Sequence, residues 1–281
     1  MYRPVSSLII LFLLCITTAF GQSVDIMTFN LRYSTSKDGV NSWDNRKEFV
    51  AHLLNYYEPD VFGVQEALHS QMTYLDTALD QYTYVGVGRD DGKEKGEYSG
   101  VFYRKDKYKA VKEATFWLSD KPNKPSVGWD ASMERISTYV LLEDRQSQKR
   151  FWVFNTHFDH KGVEARKESA QLILQQIQKK NKKGYPVFLT GDLNLVPEET
   201  PITLIKKQMA DSYEVSELKP YGPLGTFNGF DFERPLKRRI DYIFVSAKNI
   251  VVEKYRTVDD FLDFRYPSDH MPVLISCRFK E

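Results

Sequence analysis

The stretch Val187-Phe188-Leu189-Thr190-Gly191-Asp192-Leu193-Asn194 is a short apolar run that ends in a carboxylate and an amide. The same arrangement recurs along the chain. Residues 24–28 lead into Phe29-Asn30-Leu31-Arg32, residues 61–64 into Gln65-Glu66, and residues 151–154 into Asn155-Thr156-His157, while Ser268-Asp269-His270-Met271-Pro272 stands before another apolar run. Short apolar runs bounded by polar residues read as buried strands. Acidic and imidazole side chains at the ends of several strands predict that a folded sheet gathers them at one rim, where α/β sites usually lie.

Outward from these runs, residues 24–31 read as a strand, and residues 44–57 place Phe49, Val50, Leu53, Leu54 and Tyr57 at helical spacing before Pro59 stops them. Residues 61–64 form a short buried strand, Met72, Leu75 and Leu79 mark a second helix, and residues 84–87 return to strand. From 99 to 142 the β-branched and aromatic runs 101–103, 114–118 and 136–142 favour antiparallel pairing. Polar residues 145–149 turn the chain from 139–142 into 151–154 as a hairpin. A long helix over 163–179 turns Ala170, Leu172, Ile173 and Ile177 inward and ends at Gly184-Tyr185-Pro186. Strands at 187–190, 240–245, 250–255 and 272–277 complete the pattern. Helices interleaved with both hairpins and crossovers predict an α/β (α+β) fold, two packed mixed sheets covered by helices. With no linker, repeat or composition break, residues 22–281 read as one domain.

The first 21 residues have the form of an export signal: Arg3, an apolar core over 8–16, and Ala19-Phe20-Gly21 as a small-residue cleavage site before Gln22. Thr17 and Thr18 interrupt the run before the roughly 18 to 20 apolar residues that a transmembrane anchor needs. Cys15 lacks the small residues expected before a lipidated cysteine, so cleavage is preferred to lipidation. The expected compartment is periplasmic or secreted, and the expected mature chain is a monomer without a membrane span. Of the two cysteines only Cys277 would remain, so no internal disulfide is expected. The full chain carries a net charge of +1, and loss of the first 21 residues, whose only charge is Arg3, brings it to zero. A balanced charge disfavours bulk duplex nucleic acid as partner and favours a small or locally held phosphate ester.

An Asp-x-Asn, a Gln-Glu and an Asp-His at strand ends provide hard oxygen donors suited to Mg²⁺ or Mn²⁺, and an imidazole beside a carboxylate. Clustered thiolates and a Gly-rich phosphate loop are missing, which argues against structural zinc and against a kinase or ATPase. In the order Phe29-Asn30, Gln65-Glu66, Thr156-His157, Gly191-Asp192-Leu193-Asn194, Arg239-Ile240-Asp241-Tyr242 and Ser268-Asp269-His270, the chain resembles the endonuclease/exonuclease/phosphatase superfamily, and within it the deadenylase-like and bacterial members. That resemblance implies a four-layer α/β sandwich, a divalent metal, and hydrolysis of a phosphate ester by direct attack of water on phosphorus.

Carried over residue by residue, the resemblance implies that Glu66 is the direct metal ligand, with Asn30 and Asp269 completing the shell. The alternative for Asn30 is an ordinary turn residue that caps its strand. His270 resembles the imidazole that contacts the scissile phosphate, with Asp241 or Asp269 orienting it. Asp192 and Asn194 resemble the pair that positions the attacking water, and the base is either Asp192 or the His270 pair. His157 resembles the second histidine, which serves the leaving oxygen, and Glu97 stands where a carboxylate partner of that histidine is found; as an alternative, Glu97 belongs to a solvated charged loop. Arg32 and Arg135 resemble phosphate-contacting arginines, though isolated arginines are ordinarily solvated, and His160 either lines the substrate pocket or merely precedes the helix at 163. Trp43, Trp117 and Trp129 could stack on a base or sugar, against the commoner fate of aromatic residues as core. Two classes of function follow: a metal-dependent phosphoesterase whose substrate could be a nucleic acid, a phospholipid head group or a sugar or inositol phosphate, or a noncatalytic exported protein that uses the same sandwich to bind a glycan, lipid or partner.

Overall fold

In the computed structural model, which describes residues 23–280 and so leaves the predicted signal segment and Cys15 outside it, strand β1 (Ser23–Asn30) alternates between two surroundings. Val24 and Ile26 pack with Val61, Val153, Phe188 and Ile275, while Met27 and Phe29 pack with Val50, Leu54 and Met72 of two helices. Successive side chains of a strand point to opposite faces. The first set therefore fills the space between two sheets, and the second the space between a sheet and its helices.

After β1 come α1 (Trp43–Tyr57), β2 (Val61–Gln65), α2 (His69–Ala78), β3 (Tyr82–Val85), β4 (Val101–Arg104), β5 (Tyr108–Trp117), β6 (Ile136–Asp144) and β7 (Arg150–His157). The chain continues through α3 (Val163–Lys180), β8 (Val187–Asp192), α4 (Thr200–Lys206), β9 (Ala210–Asp211), α5 (Ser212–Val215), β10 (Asp241–Val245), β11 (Ile250–Thr257) and β12 (Val273–Phe279). One sheet has the order β11-β12-β1-β2-β4-β3 and the other β5-β6-β7-β8-β10-β9. Each contains one parallel pair, β1 with β2 and β7 with β8, among antiparallel neighbours. Helices α1 and α2 cover the first sheet, and α3 and α4 the second, giving four layers. Each large apolar side chain removed from water in these layers contributes about 1.5 to 3 kcal/mol. Among the described residues no helix is long and apolar enough to cross a membrane.

The predicted hairpin is present, with Leu142 opposite Phe151. Strand β5 begins at Tyr108, six residues before the apolar run that predicted it. It is an edge strand whose residues Lys109, Lys112 and Glu113 are exposed and whose register shifts between Ala110 and Lys112, so it needs no continuous apolar face. The strand expected at 84–87 lies at 82–85, and on α3 the buried residues include Ala165 and Leu174, with Leu172 and Ile177 only half-buried. The short elements α4, β9 and α5 carry too little periodicity to be seen in the sequence.

The period of two decides where the polar strand ends go. On β2, Gly63 and Gln65 share the inter-sheet face with Val61; on β7, Asn155 and His157 share it with Val153; on β8, Thr190 and Asp192 share it with Phe188. Asn155 crosses the gap: its Nδ2 donates to the carbonyls of Val64 and Gly100 (both 2.8 Å), and its Oδ1 accepts from Gln65 Nε2 (2.7 Å) and Thr190 Oγ1 (3.0 Å). Gly63 leaves the room for it, since a Cβ there would stand 2.5 Å from Asn155 Oδ1 and 2.7 Å from Thr190 Oγ1. Gly63→Ala is therefore expected to destabilise the fold by about 2 to 3 kcal/mol, seen as a fall of roughly 5 to 10 °C in Tm. An unchanged Tm would mean that the two sheets do not depend on this crossing.

Candidate active site

At the ends of these strands the inter-sheet layer opens into a cleft of about 460 Å³. It is lined by Arg32, Glu66, Glu97, Arg135, His157, His160, Asp192, Asn194, Asp269 and His270 of the predicted set, together with Tyr33, Met133, Phe227, Arg238 and Ile240. Asn30 and Asp241, the remaining predicted residues, stand behind this wall and hold it. Asn30 Nδ2 donates to Glu66 Oε1 (3.1 Å) on its own sheet and to Asp192 Oδ2 (3.0 Å) on the other, and its Oδ1 accepts from the Arg32 N–H (2.9 Å). Asn30 thereby ties the two sheets together at the rim, as Asn155 does below it.

Three cleft residues occupy the left-handed region: Arg32 (φ 58°), Glu66 (φ 61°) and Asn194 (φ 53°). A side-chain-bearing residue there costs roughly 1 to 2 kcal/mol. The strain has a geometric use. Continued as a strand, β2 would turn Glu66 to the face opposite Gln65, whereas the left-handed step brings its carboxylate onto the cleft, where Oε2 accepts from the Tyr33 N–H (3.3 Å).

The two histidines lie in opposite electrostatic settings. Burial alone would lower His270, but the charges of Asp241 and Asp192 and a 2.9 Å hydrogen bond between Nδ1 and Asp241 outweigh it and hold the imidazolium well above its usual range. Asp241, not Asp269, is thus the orienting partner. His157 is pushed well below its usual range by burial and by the neighbouring charges of Arg135 and Arg89. Its Nε2 lies 3.0 Å from Asn194 Nδ2 and 3.4 Å from Asp192 Oδ2, and its Nδ1 faces Glu97 at 4.0 Å. With Asn194 donating to Nε2, the ring proton of the neutral imidazole sits on Nδ1, toward Glu97.

Glu97 is not a solvated loop residue. Arg89 grips it with two hydrogen bonds (2.6 and 2.9 Å), and burial still pushes its carboxyl up to about 7. Asp192 is pushed up to about 7 by burial and by Asp241, and Asp269 is raised by burial and by Glu66. These crowded carboxylates, with the Asn30 amide beside them, are an oxygen-rich donor set suited to a hard divalent cation. Ligand atoms of Glu66, His157 and Asp192 lie within 4.8 Å of one another, as do those of Asp192, Asp241 and His270.

Arg135 is 4% exposed, so the solvated alternative fails for it. Its Nε donates to Asp159 (3.3 Å) and its Nη2 lies 3.0 Å from His160 Nδ1, while Nη1 has no protein partner. His160 is thereby part of the cleft wall. Arg32 reaches toward the same carboxylates, 3.9 Å from Glu66 and 4.0 Å from Asp269, but is held by two 3.0 Å bonds to Asp38. Two of the tryptophans are core: Trp43 packs edge-on against Tyr74, and Trp117 is buried with its N–H on the Arg89 carbonyl. Trp129 is half-buried and does not line the cleft. Arg238, Phe227 and Arg89 were not singled out from the sequence; Arg238 adjoins the Arg239-Ile240-Asp241 motif, while Phe227 and Arg89 sit in loops with no local signal.

The sequence model of the Endonuclease/Exonuclease/phosphatase family matches residues 27–270. The structure is similar to that of a family protein of Bacteroides thetaiotaomicron, with 36% identity and a TM-score of 0.89 over 93% of this chain and 99% of that one. It is equally similar to a mannosyl-6-phosphatase of Bacteroides thetaiotaomicron, with 36% identity and a TM-score of 0.87 over 91% of this chain and 100% of that one. A Ccr4 exoribonuclease subunit of Mycosarcoma maydis is 20% identical over 91% of this chain, and the chain spans about half (50%) of that curated relative.

The charge states are testable without any substrate. At pH 6.5, the usual midpoint of a histidine, the ring-nitrogen NMR shifts in EDTA are expected to show His157 neutral with its proton on Nδ1 and His270 as imidazolium. Equal half-protonation of both rings would contradict the geometry.

Proposed function

The chain belongs to the endonuclease/exonuclease/phosphatase family, and from that premise we propose that it is a divalent-metal-dependent phosphomonoesterase that releases phosphate from a sugar. The observation that carries the proposal is the cation content of the cleft: Arg135, Arg32, Arg238 and the His270 imidazolium line one volume. A terminal phosphate is dianionic near neutral pH and needs more positive charge than a diester. The similarity to a mannosyl-6-phosphatase over the whole of that chain supports a sugar as the alcohol.

Glu66 and Asp269 would hold the cation, with Asn30 and Asp192 beside them, and Mg²⁺ or Mn²⁺ suits such donors. When bound, the cation supplies Lewis-acid polarisation of a phosphoryl oxygen. The residues of this chain do the rest. Asp192, whose carboxyl is raised by burial and by Asp241, accepts a proton from the water that attacks phosphorus, Asn194 fixes the position of that water, and the sugar oxygen leaves as its bond to phosphorus breaks and takes up a proton from solvent. The Nε2–H of His270, charged through Asp241, and the Arg135 guanidinium hold phosphoryl oxygens as charge grows on them. His157, neutral and hydrogen-bonded to Asn194, orients the Asn194 amide. A noncatalytic binding protein has no need of these paired charge states.

The apolar core over residues 8–16 supports an exported enzyme, periplasmic or secreted. The lack of a basic excess supports a small substrate over duplex nucleic acid.

Phosphate release from mannose 6-phosphate with Mn²⁺ is expected to exceed turnover of bis(p-nitrophenyl) phosphate by roughly 100-fold in kcat/KM, and a diester preference would overturn the monoester assignment. Arg135→Lys, which keeps the charge and loses the planar fork, is expected to cost about 10- to 100-fold in kcat/KM on the monoester. In Asp241→Asn the imidazolium loses its carboxylate, so its pKa falls and the alkaline limb of the kcat profile moves to lower pH; an unmoved limb would show that His270 does not act as a cation.

A further inference from the structure

Beyond the cleft, the loops 225–238 and 258–267 carry a cluster of aromatic rings. Phe232 packs edge-on against Phe261 (4.9 Å) and Phe264 (5.4 Å) and stacks on Tyr266 (5.1 Å). Phe261, Leu262 and Phe264 are 52%, 59% and 75% exposed. Leu262 and Arg265 exchange both backbone hydrogen bonds across a two-residue turn, and the two turn residues, Asp263 (φ 49°) and Phe264 (φ 58°), are both left-handed. Such turns favour Asn-Gly, so a phenylalanine here is a cost in stability that keeps an aromatic ring in solvent.

Beside this tip runs a groove of about 240 Å³. Its apolar wall includes Val40, Leu262 and Tyr266, and its polar wall includes Asn41, Asp263 and Arg265. The Asp263 and Arg265 side chains have no hydrogen bond or ion pair among the described residues. The groove adjoins the cleft at Arg46, which lines the groove and donates to the carbonyls of Leu31 (2.6 Å), of the cleft residue Arg32 (2.8 Å) and of Pro267 (2.9 Å). On the other side, Phe227 lines the cleft in edge contact with His270, on the same loop as Phe232.

Resting on the phosphomonoesterase reading, we infer that this platform and groove bind the neutral sugar residues of a glycan whose phosphorylated end occupies the cleft. Pyranose rings present apolar C–H faces to aromatic rings and hydroxyls to amides, carboxylates and guanidinium groups, and the groove offers both kinds of surface side by side. A lipid surface would be matched by the rings and by Arg265, and left unmatched by Asn41 and Asp263.

The test compares the full chain with a Phe261→Ser, Phe264→Gly double variant. Phe264→Gly also removes the left-handed strain, so the Tm of Phe264→Gly alone is expected to hold or rise. For mannotriose carrying a terminal 6-phosphate, kcat/KM of the double variant is expected to fall roughly tenfold relative to its value for p-nitrophenyl phosphate. An unchanged ratio overturns the inference. So does loss of co-sedimentation with phosphatidylglycerol vesicles in the double variant without a change in that ratio, which would assign the tip to a lipid surface. Should the native protein hydrolyse neither phosphate, the phosphomonoesterase reading fails on its own, and calorimetric binding of unphosphorylated mannotriose decides the platform: weaker binding by the double variant upholds it, and no binding by the native protein overturns it.

Discussion

Asn155 uses all four hydrogen-bonding positions of its amide to join the two sheets beneath the cleft, and the rest of the site depends on the register it fixes. A one-residue slip in either sheet would turn every inward side chain outward. Buried between apolar layers, a carboxamide with any of these bonds missing would leave a polar group unpaired at a cost of about 1 to 3 kcal/mol. The polar staple therefore specifies one alignment of the sheets where apolar contacts alone would tolerate several. Asn30 repeats the device one layer up, and because its partners are Glu66 and Asp192, that alignment is also the geometry of the site.

The electrostatics of the cleft follow from the same crowding. Side chains that converge from β1, β2, β7, β8 and β10 bring carboxylates close together in a largely buried setting, which raises their affinity for protons or for a cation. Two imidazoles placed in this field separate by burial and charge: His270 is held up by Asp241 and Asp192, and His157 is pushed down by burial and by the charges of Arg135 and Arg89. One is held as a cation and the other as a neutral ring within one cleft. Pairs of titratable groups driven apart in this way divide catalytic roles. The cleft arginines are held by their own acids, Arg32 by Asp38 and Arg135 by Asp159, so their guanidinium groups stand at set positions.

Much of this was legible in the sequence because it depends on period. The runs at 61–64, 151–154 and 187–190 appear as strands, and the polar residues at their ends line the cleft or support it. What the sequence left open was the pairing. Asp241 as partner of His270 had Asp269 as a competitor until the register of β10 with β8 set Asp241 opposite Asp192. The fate of the tryptophans was equally out of reach, since Trp43 at the head of α1 and Trp117 at the end of β5 look exposed by position and are buried by packing from elsewhere in the chain. Edge strand β5 shows only its last residues in the sequence because solvent on one side removes the apolar signal from the rest. Loops 225–238 and 258–267 have no period, and the exposed rings they carry are assembled only by tertiary structure.

The central claim is that the polar ends of both sheets form one hydrolytic, cation-dependent site around Glu66. The most direct measurement is phosphate release from mannose 6-phosphate by the native protein and by Glu66→Gln, with Mn²⁺ and with EDTA, alongside the Tm of each. The account predicts that turnover is abolished by EDTA and falls by about a thousandfold or more in Glu66→Gln, with the Tm preserved. Turnover that survives both the chelator and the substitution would contradict it.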